Sequence, residues 1–351
     1  MIRTKPPVGK LSTQMKRRLV TPSQPKAEYD GDSTTMINSG STLLNLAVSG
    51  GRVRGGGIPA GILVEIFGPS GSGKTVLLSE LAGEIQRQGG QVMLNDPEAR
   101  LNKQFVRIFG LDTDQIGYAR PDTVPEVFSA VRSWKPEGEG KIHGIFADSL
   151  AALSTDMEMG KDEGDKMGMR RAKEFSEELR KTCRVLAQKN YLMVCSNQVR
   201  QNVDAGQFGQ KYTSPGGEAI AFYSSLRLRT SITNKIKAER KVVGKDVTRI
   251  VGVNIQVEVF KSSVWKPFRT APLTILFDYG IDNIRQNLQF VKDYTKGTMY
   301  MVRNEKLDVS MDESIRMVEE AEMELALQEQ VIELWERIES KFESNRKAKL
   351  R

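Results

Sequence analysis

The sequence has 351 residues, 39% of them hydrophobic and 27% charged, with a formal net charge of +8. That balance suits one large globular domain, or a core with small appendages, and excludes collagen-like or wholly disordered chains. No run reaches the ~18 apolar residues of a membrane-spanning helix, two cysteines cannot build a disulfide framework, and a single histidine excludes a His-rich metal site.

Residues 1–30 carry seven basic side chains against two acidic ones, and four prolines, Pro6, Pro7, Pro22 and Pro25. Prolines break regular elements. The segment therefore reads as a basic arm with one short helix near Leu11–Leu19. It is either a solvated tail or an arm that touches a neighbouring subunit or nucleic acid. Its first residues lack the apolar stretch of a secretory signal. From Ile37 the pattern changes. Ile62–Phe67 is an apolar run bounded by glycines, which predicts a buried strand. Leu77, Leu78, Leu81 and Ile85 then mark one face of a helix over Val76–Gln86. Val92–Leu94, Ile142–Ala147 and Tyr191–Ser196 predict three more strands, with helices at Pro125–Trp134 and Met169–Gln188. Strands alternating with helices mean an α/β fold, a parallel sheet with right-handed crossovers. Leu226–Thr233, Val251–Lys261 and Leu273–Phe277 alternate more strictly and predict antiparallel strands that extend the sheet. Past Asp278, Glu313–Phe342 predicts one long helix with Leu327, Val331, Leu334, Ile338 and Phe342 on a stripe. That stripe packs on the core or on a partner helix. No internal repeat is visible. Cys183 and Cys195 sit in apolar runs and read as reduced thiols. His143 precedes an apolar run and reads as structural.

Gly68, Pro69, Ser70, Gly71, Ser72, Gly73, Lys74 and Thr75 fit the pattern G-x-x-x-x-G-K-[ST]. They follow a predicted strand and open a predicted helix, the context the motif requires. Glycines let backbone N–H groups turn inward on phosphate oxygens, and the helix N-terminus adds partial positive charge. Lys74 is placed to reach the β- and γ-phosphates, and the Thr75 hydroxyl to ligate Mg²⁺. Asp148 ends the strand Ile142–Ala147 and is the candidate for holding the same Mg²⁺ through water, against a plain strand-ending turn residue. Glu98 and Asp96 both follow the second strand. Either can polarise a water as general base. Gln198 ends the fourth strand, as a γ-phosphate sensor or a simple capping amide.

These residues sit in a longer series: SGSTLLNLAVSGG, GIPAGILVEIFGPSGSGKT, LNDPEARLN, IGYARPDTVPEVFSAV, IFADSLAAL, CSNQVRQ and TSPGGEAIAFYSSLRLR. In order and spacing the series resembles the RecA recombinases, including their viral relatives, from about Asn38 to Asp282, roughly two-thirds of the chain. The resemblance implies a RecA-like P-loop ATPase core at 37–282, between the arm at 1–36 and a helical region at 283–351. It implies ATP and Mg²⁺ as cofactors, with Lys74, Thr75 and Asp148 in their expected roles. It assigns the general base to Glu98 rather than Asp96, and the coupling of γ-phosphate to DNA to Gln198. Phe105 falls where the family commonly stacks a tyrosine on adenine. Lys261 matches a lysine that reaches the neighbouring subunit's ATP. A second such lysine is replaced by Ser263, with Lys266 nearby, and Asn102 stands at an adenine-side aspartate position.

The family's two DNA loops fall at about 157–169 and 199–217. There Arg170, Arg171 and Arg200 supply phosphate charge. Met167 and Val203 are candidate wedges between bases, and Gly206, Gly209, Gly216 and Gly217 give the second loop freedom. The implied partners are single-stranded DNA, homologous duplex DNA, further copies in a helical filament, and single-strand-binding and loader proteins. No membrane is expected, and the implied location is cytoplasmic, in a bacterium or an infected host cell. The implied function is an ATP-dependent recombinase that polymerises on single-stranded DNA and exchanges strands. Its rivals are a ring-forming helicase on the same core, a P-loop phosphotransferase acting on a small molecule, and a non-catalytic DNA-binding scaffold.

Overall fold

The first strand of the core opens where the chain turns apolar. In the computed structural model, residues 35–99, 107–108, 110–137, 142–150, 153, 167–201, 212–213, 217–295, 297–344 and 346 are described. Most of the expected arm lies outside them. Met36–Ile37 (β1) pairs antiparallel with Ile58–Pro59 (β2). Between them runs Thr42–Ser49 (α1), capped by the Ser41 hydroxyl, which accepts the Leu44 N–H. Every residue of α1 is buried. A helix sequestered all round shows no amphipathic stripe, so its sequence carries no periodic signal.

The central elements follow in order: Leu63–Gly68 (β3), Lys74–Arg87 (α2), Val92–Asn95 (β4), Ile116–Ala119 (β5), Val124–Ser133 (α3), His143–Ala147 (β6), Met167–Lys189 (α4) and Tyr191–Gln198 (β7). Two short strands, Arg200–Gln201 (β8) and Tyr212–Thr213 (β9), pair with each other ahead of Gly217–Tyr223 (α5). Then come Leu226–Val242 (β10), Lys245–Ser262 (β11), Thr270–Leu276 (β12) and Gly280–Ile281 (β13). Among the described residues these strands form a nine-stranded sheet in the order β13-β12-β11-β10-β3-β7-β6-β4-β5. The half from β3 to β5 is parallel throughout. The sheet is thus α/β and mostly parallel, as the sequence predicts.

Three details differ from expectation. First, β10 joins β3 in parallel, with Leu226 opposite Val64, and only β11, β12 and β13 are antiparallel. The chain returns through α5 before β10 begins, and a helical crossover delivers a parallel strand. Second, β10 and β11 continue well past Thr233 into a hairpin whose outer half is mostly exposed. Cross-strand backbone bonds hold that half where no core does, so it shows no apolar alternation. Val243 and Gly244 make its turn, with φ of 49° and 77°. Third, the predicted C-terminal helix is two, Met311–Glu320 (α7) and Glu324–Ser340 (α8). Glu322 breaks it at φ 51° with no glycine or proline to signal the break. Leu327 and Val331 of the predicted stripe are buried, but Phe342 lies beyond α8 and is exposed.

Parallel strands buried on both faces read as continuous apolar runs. Val64, Ile66, Phe146, Leu192 and Val194 point into one apolar cluster; Leu63, Ile145, Ala147, Met193 and Cys195 point into the other. The first cluster takes in α1, α2 and the C-terminal residues Leu288, Val318, Leu327 and Val331. The second holds Val127 and Phe128 of α3 and Phe175 and Leu179 of α4. Leu288 belongs to Asn283–Thr295 (α6), which precedes a small hairpin of Met301–Val302 (β14) and Glu305–Lys306 (β15). His143 is buried between Trp134 and Tyr191, and its Nδ1 accepts the Gln91 N–H at 3.0 Å. Both cysteines are free, and burial pushes their thiols up, Cys183 to about 11.

Candidate nucleotide site

In an open α/β sheet, ligands bind beyond the carboxyl ends of the strands. Register brings the predicted residues to that edge. Gly68 at the end of β3 lies opposite Gln198 at the end of β7. Ala147 of β6 lies opposite Cys195 of β7 and Asn95 of β4. Asp148, Ser196, Asp96 and Glu98 therefore crowd the same rim as the phosphate loop.

The loop is stitched to the sheet. The Ser72 hydroxyl contacts the Pro69 carbonyl at 2.7 Å and the Thr230 hydroxyl of β10 at 2.6 Å. A Cβ on Gly68 would stand 2.2 Å from Thr230 Oγ1, so the strand cannot carry a side chain there. Gly73, at φ +82°, caps α2 in the left-handed region that glycine alone adopts freely. The Lys74 ammonium donates to the Gly68 and Pro69 carbonyls at 3.1 and 2.8 Å. Burial pushes its pKa down, opposed by the charges of Asp148 and Glu98. A half-buried cation in this loop, at the N-terminus of α2, can hold polyphosphate.

Thr75 donates to Asp148 Oδ2 at 2.6 Å, while the Ser196 hydroxyl donates to the other carboxylate oxygen. A hydroxyl and a carboxylate converging at one point suit a hard cation that keeps waters and shares substrate phosphates. Among the described residues no group of three or more His, Cys, Asp or Glu could hold a metal alone.

The two rival carboxylates differ in surroundings. Asp96 is buried, and its Oδ2 accepts the Tyr118 phenol at 2.9 Å. Burial and that bond push the Tyr118 pKa up. Glu98 is half-buried and close enough to Lys74 for their charges to interact.

Lys261 is elsewhere. Its ammonium donates to the Ala221 and Phe222 carbonyls at 2.8 Å each, the last turn of α5. Burial lowers its pKa, Arg227 adds to this, and Glu65 opposes it. Met167, Arg170 and Arg171 fall in the first turns of α4, Arg200 in β8, and Gly217 at the start of α5. Phe105, Asn102, Val203, Gly206, Gly209 and Gly216 lie outside the described residues, as does most of each predicted DNA loop.

Sequence reading missed Ser196, Thr230 and Tyr118, whose roles arise only from strand neighbours. It also missed the pair Glu65–Arg227. A lone charge inside the strand Ile62–Phe67 was visible and demands a buried partner, but nothing in the sequence names Arg227.

Sheet, loop and rim together define a P-loop nucleotide-binding protein whose parallel sheet is extended by an antiparallel hairpin. The family model for the RecA N-terminal domain matches residues 25–282. The RecA protein of Borrelia hermsii is 32% identical over 302 residues, covering 84% of this chain and 80% of its own. That of Treponema denticola is 34% identical over 247 residues, 70% of this chain and 56% of its own. That of Bacillus mycoides is 30% identical over 317 residues, 89% of this chain and 83% of its own. The chain belongs to the RecA family, the ATP-dependent recombinases of DNA recombination and repair. Among the described residues no helix is long and apolar enough to cross a membrane.

Proposed function

We propose that this chain is a DNA-dependent ATPase that polymerises on single-stranded DNA and uses the rim of β3, β4, β6 and β7 for hydrolysis. The loop N–H groups and Lys74 hold the β- and γ-phosphates. Thr75 and Asp148 would hold Mg²⁺, with Ser196 fixing the carboxylate. When bound, that ion neutralises phosphate charge. Glu98 takes the proton of the attacking water as general base. Asp96, engaged by Tyr118, braces the end of β4. Gln198 presents a neutral amide to the γ-phosphate and opens directly into the 199–217 segment. In this reading Lys261 serves the neighbouring subunit's ATP, and Arg170, Arg171 and Arg200 hold DNA phosphates.

The observation that carries the reading is the pairing of Gly68 with Gln198 on adjacent strands. It brings the phosphate loop beside Gln198, from which the 199–217 segment departs, and so supports reading that segment as the second DNA loop. ATP hydrolysis measured with and without single-stranded DNA tests it: turnover should rise on DNA. Turnover indifferent to DNA would point to a small-molecule phosphotransferase instead.

A further inference from the structure

Glu65 lies in the middle of β3, three residues before the phosphate loop, and is fully buried. Its Oε2 accepts the Arg227 Nε at 2.5 Å and its Oε1 accepts the Asn197 Nδ2 at 3.0 Å. Asn197 is also fully buried, and its Oδ1 accepts the Gln198 backbone N–H at 3.1 Å. The Arg227 guanidinium sits over the Phe67 ring at 4.6 Å and the Phe260 ring at 5.4 Å. The three residues come from adjacent strands β10, β3 and β7.

A buried ion pair contributes little net stability, because desolvating both charges offsets their attraction. What it fixes is position. Asn197 stands just before the 199–217 segment. Arg227 stands just after α5, the helix that ends that segment. The two ends of the excursion are thus tied to one carboxylate on the strand that carries the phosphate loop. Lys261 caps α5 within the field of the same pair.

We infer that Glu65, Arg227 and Asn197 are positioning residues that couple occupancy of the 199–217 segment to the phosphate site. The inference rests on the proposed reading that DNA binds there. A shift of β10 or α5 moves Arg227. Separating it from Glu65 would leave two charges unpaired in a dry interior, so Glu65 and Asn197 move with it. Asn197 carries Gln198, and Glu65 carries the strand that ends at Gly68, so both sides of the phosphate rim respond.

The test uses the full chain, ATP, and poly(dT) as the single strand. Glu65→Leu combined with Arg227→Met replaces the pair with apolar volume, an exchange that buried ion pairs often tolerate. DNA-stimulated kcat should fall roughly tenfold while the KM for ATP and the Kd for poly(dT) stay within about threefold. Arg227→Lys keeps the charge without the planar fork and should retain part of the stimulation. Unchanged stimulation in the double variant overturns the inference alone. A parallel loss of poly(dT) affinity also overturns it, because the pair would then belong to the DNA site. A wild-type chain that ignores poly(dT) fails the functional reading itself and takes the inference with it. Should the double variant not fold, amide exchange in the wild type decides. A non-hydrolysable ATP analogue alone should slow exchange at both Gln198–Gln201 and Leu226–Arg229, and a response at one end only refutes the coupling.

Discussion

Glu98 and Asp96 are two residues apart, yet their surroundings differ, and the proposed reading gives them different work. Asp96 is buried and bonded by Tyr118. Glu98 shares the rim with Lys74. Glu98→Gln should keep nucleotide binding and slow hydrolysis by ~10²-fold or more, as for loss of a general base. Asp96→Asn keeps an acceptor for Tyr118 and should leave turnover within about threefold of wild type, a neutral hydrogen bond replacing a charged one. Turnover beside fluorescent-nucleotide binding separates the two, and the opposite ranking would exchange the roles. Glu80 on α2 carries a second residue-scale prediction. Burial pushes its carboxyl up to about 7 from an ordinary 4.5, against the Ile281 N–H and Arg87, with Glu84 adding to the rise. The folded state therefore holds an extra proton between these values, and stability falls as pH rises through that window. Glu80→Gln should flatten this part of the profile and gain on the order of 2 kcal/mol above pH 7, the shift being discounted for partial exposure. Urea midpoints at pH 5 and pH 8 would show it; an equal gain at both would refute it. The phosphate-loop residues were legible because their spacing is local. Ser196 and Thr230 were not, because each acts through a strand whose neighbour the sequence does not name.

At the scale of elements, the parallel strands were legible and the outer hairpin was not. Strands buried on both faces announce themselves as apolar runs. The outer half of β10 and β11 is held by backbone pairing, and its turn lacks the Asn-Gly or Asp-Gly signature of two-residue hairpins. Val243 occupies the first turn position at φ 49°, a conformation that a β-branched side chain resists. Val243→Asn places there a residue that tolerates the left-handed region. Amide exchange at the tip of the hairpin should slow by roughly fivefold, in line with relief of about 1 kcal/mol of backbone strain. The melting temperature should not move, because the tip is exposed and opens locally rather than with the core. A raised melting temperature would mean that the hairpin unfolds together with the sheet. The division of the C-terminal helix was illegible for a related reason. Glu322 turns left-handed while Met323 N–H returns to the Val318 carbonyl at 2.9 Å, a closure built from backbone alone.

At the scale of the whole molecule, the proposed reading gives Lys261 to a neighbouring subunit's ATP rather than to its own. Register argues against its own. Lys261 pairs with Arg227, and Arg227 with Glu65, three residues back from Gly68. That is about 10 Å sideways across two strand spacings and about 10 Å back along the strand, farther than a lysine side chain reaches. Its ammonium is also held on the last carbonyls of α5. A cation that cannot reach its own loop is free to act on another chain's, once α5 releases it. Lys261→Ala should then bind nucleotide almost normally as a dilute monomer, yet lose DNA-stimulated hydrolysis. Lys74→Ala should lose hydrolysis for the opposite reason, an impaired loop beside an intact Lys261. In the proposed reading neither variant alone forms a complete site. Mixed on one DNA strand, some interfaces pair an intact loop with an intact Lys261, and activity should return. For random mixing in equal parts, roughly a quarter of the interfaces are complete, so recovery should approach a quarter of wild-type turnover if each interface contributes independently, as distant sites do. Ser263 cannot substitute, because a hydroxyl does not stabilise developing phosphate charge as an ammonium does. Confirmed co-assembly without recovery would mean that the site is complete within one subunit, and that Lys261 serves only to cap α5.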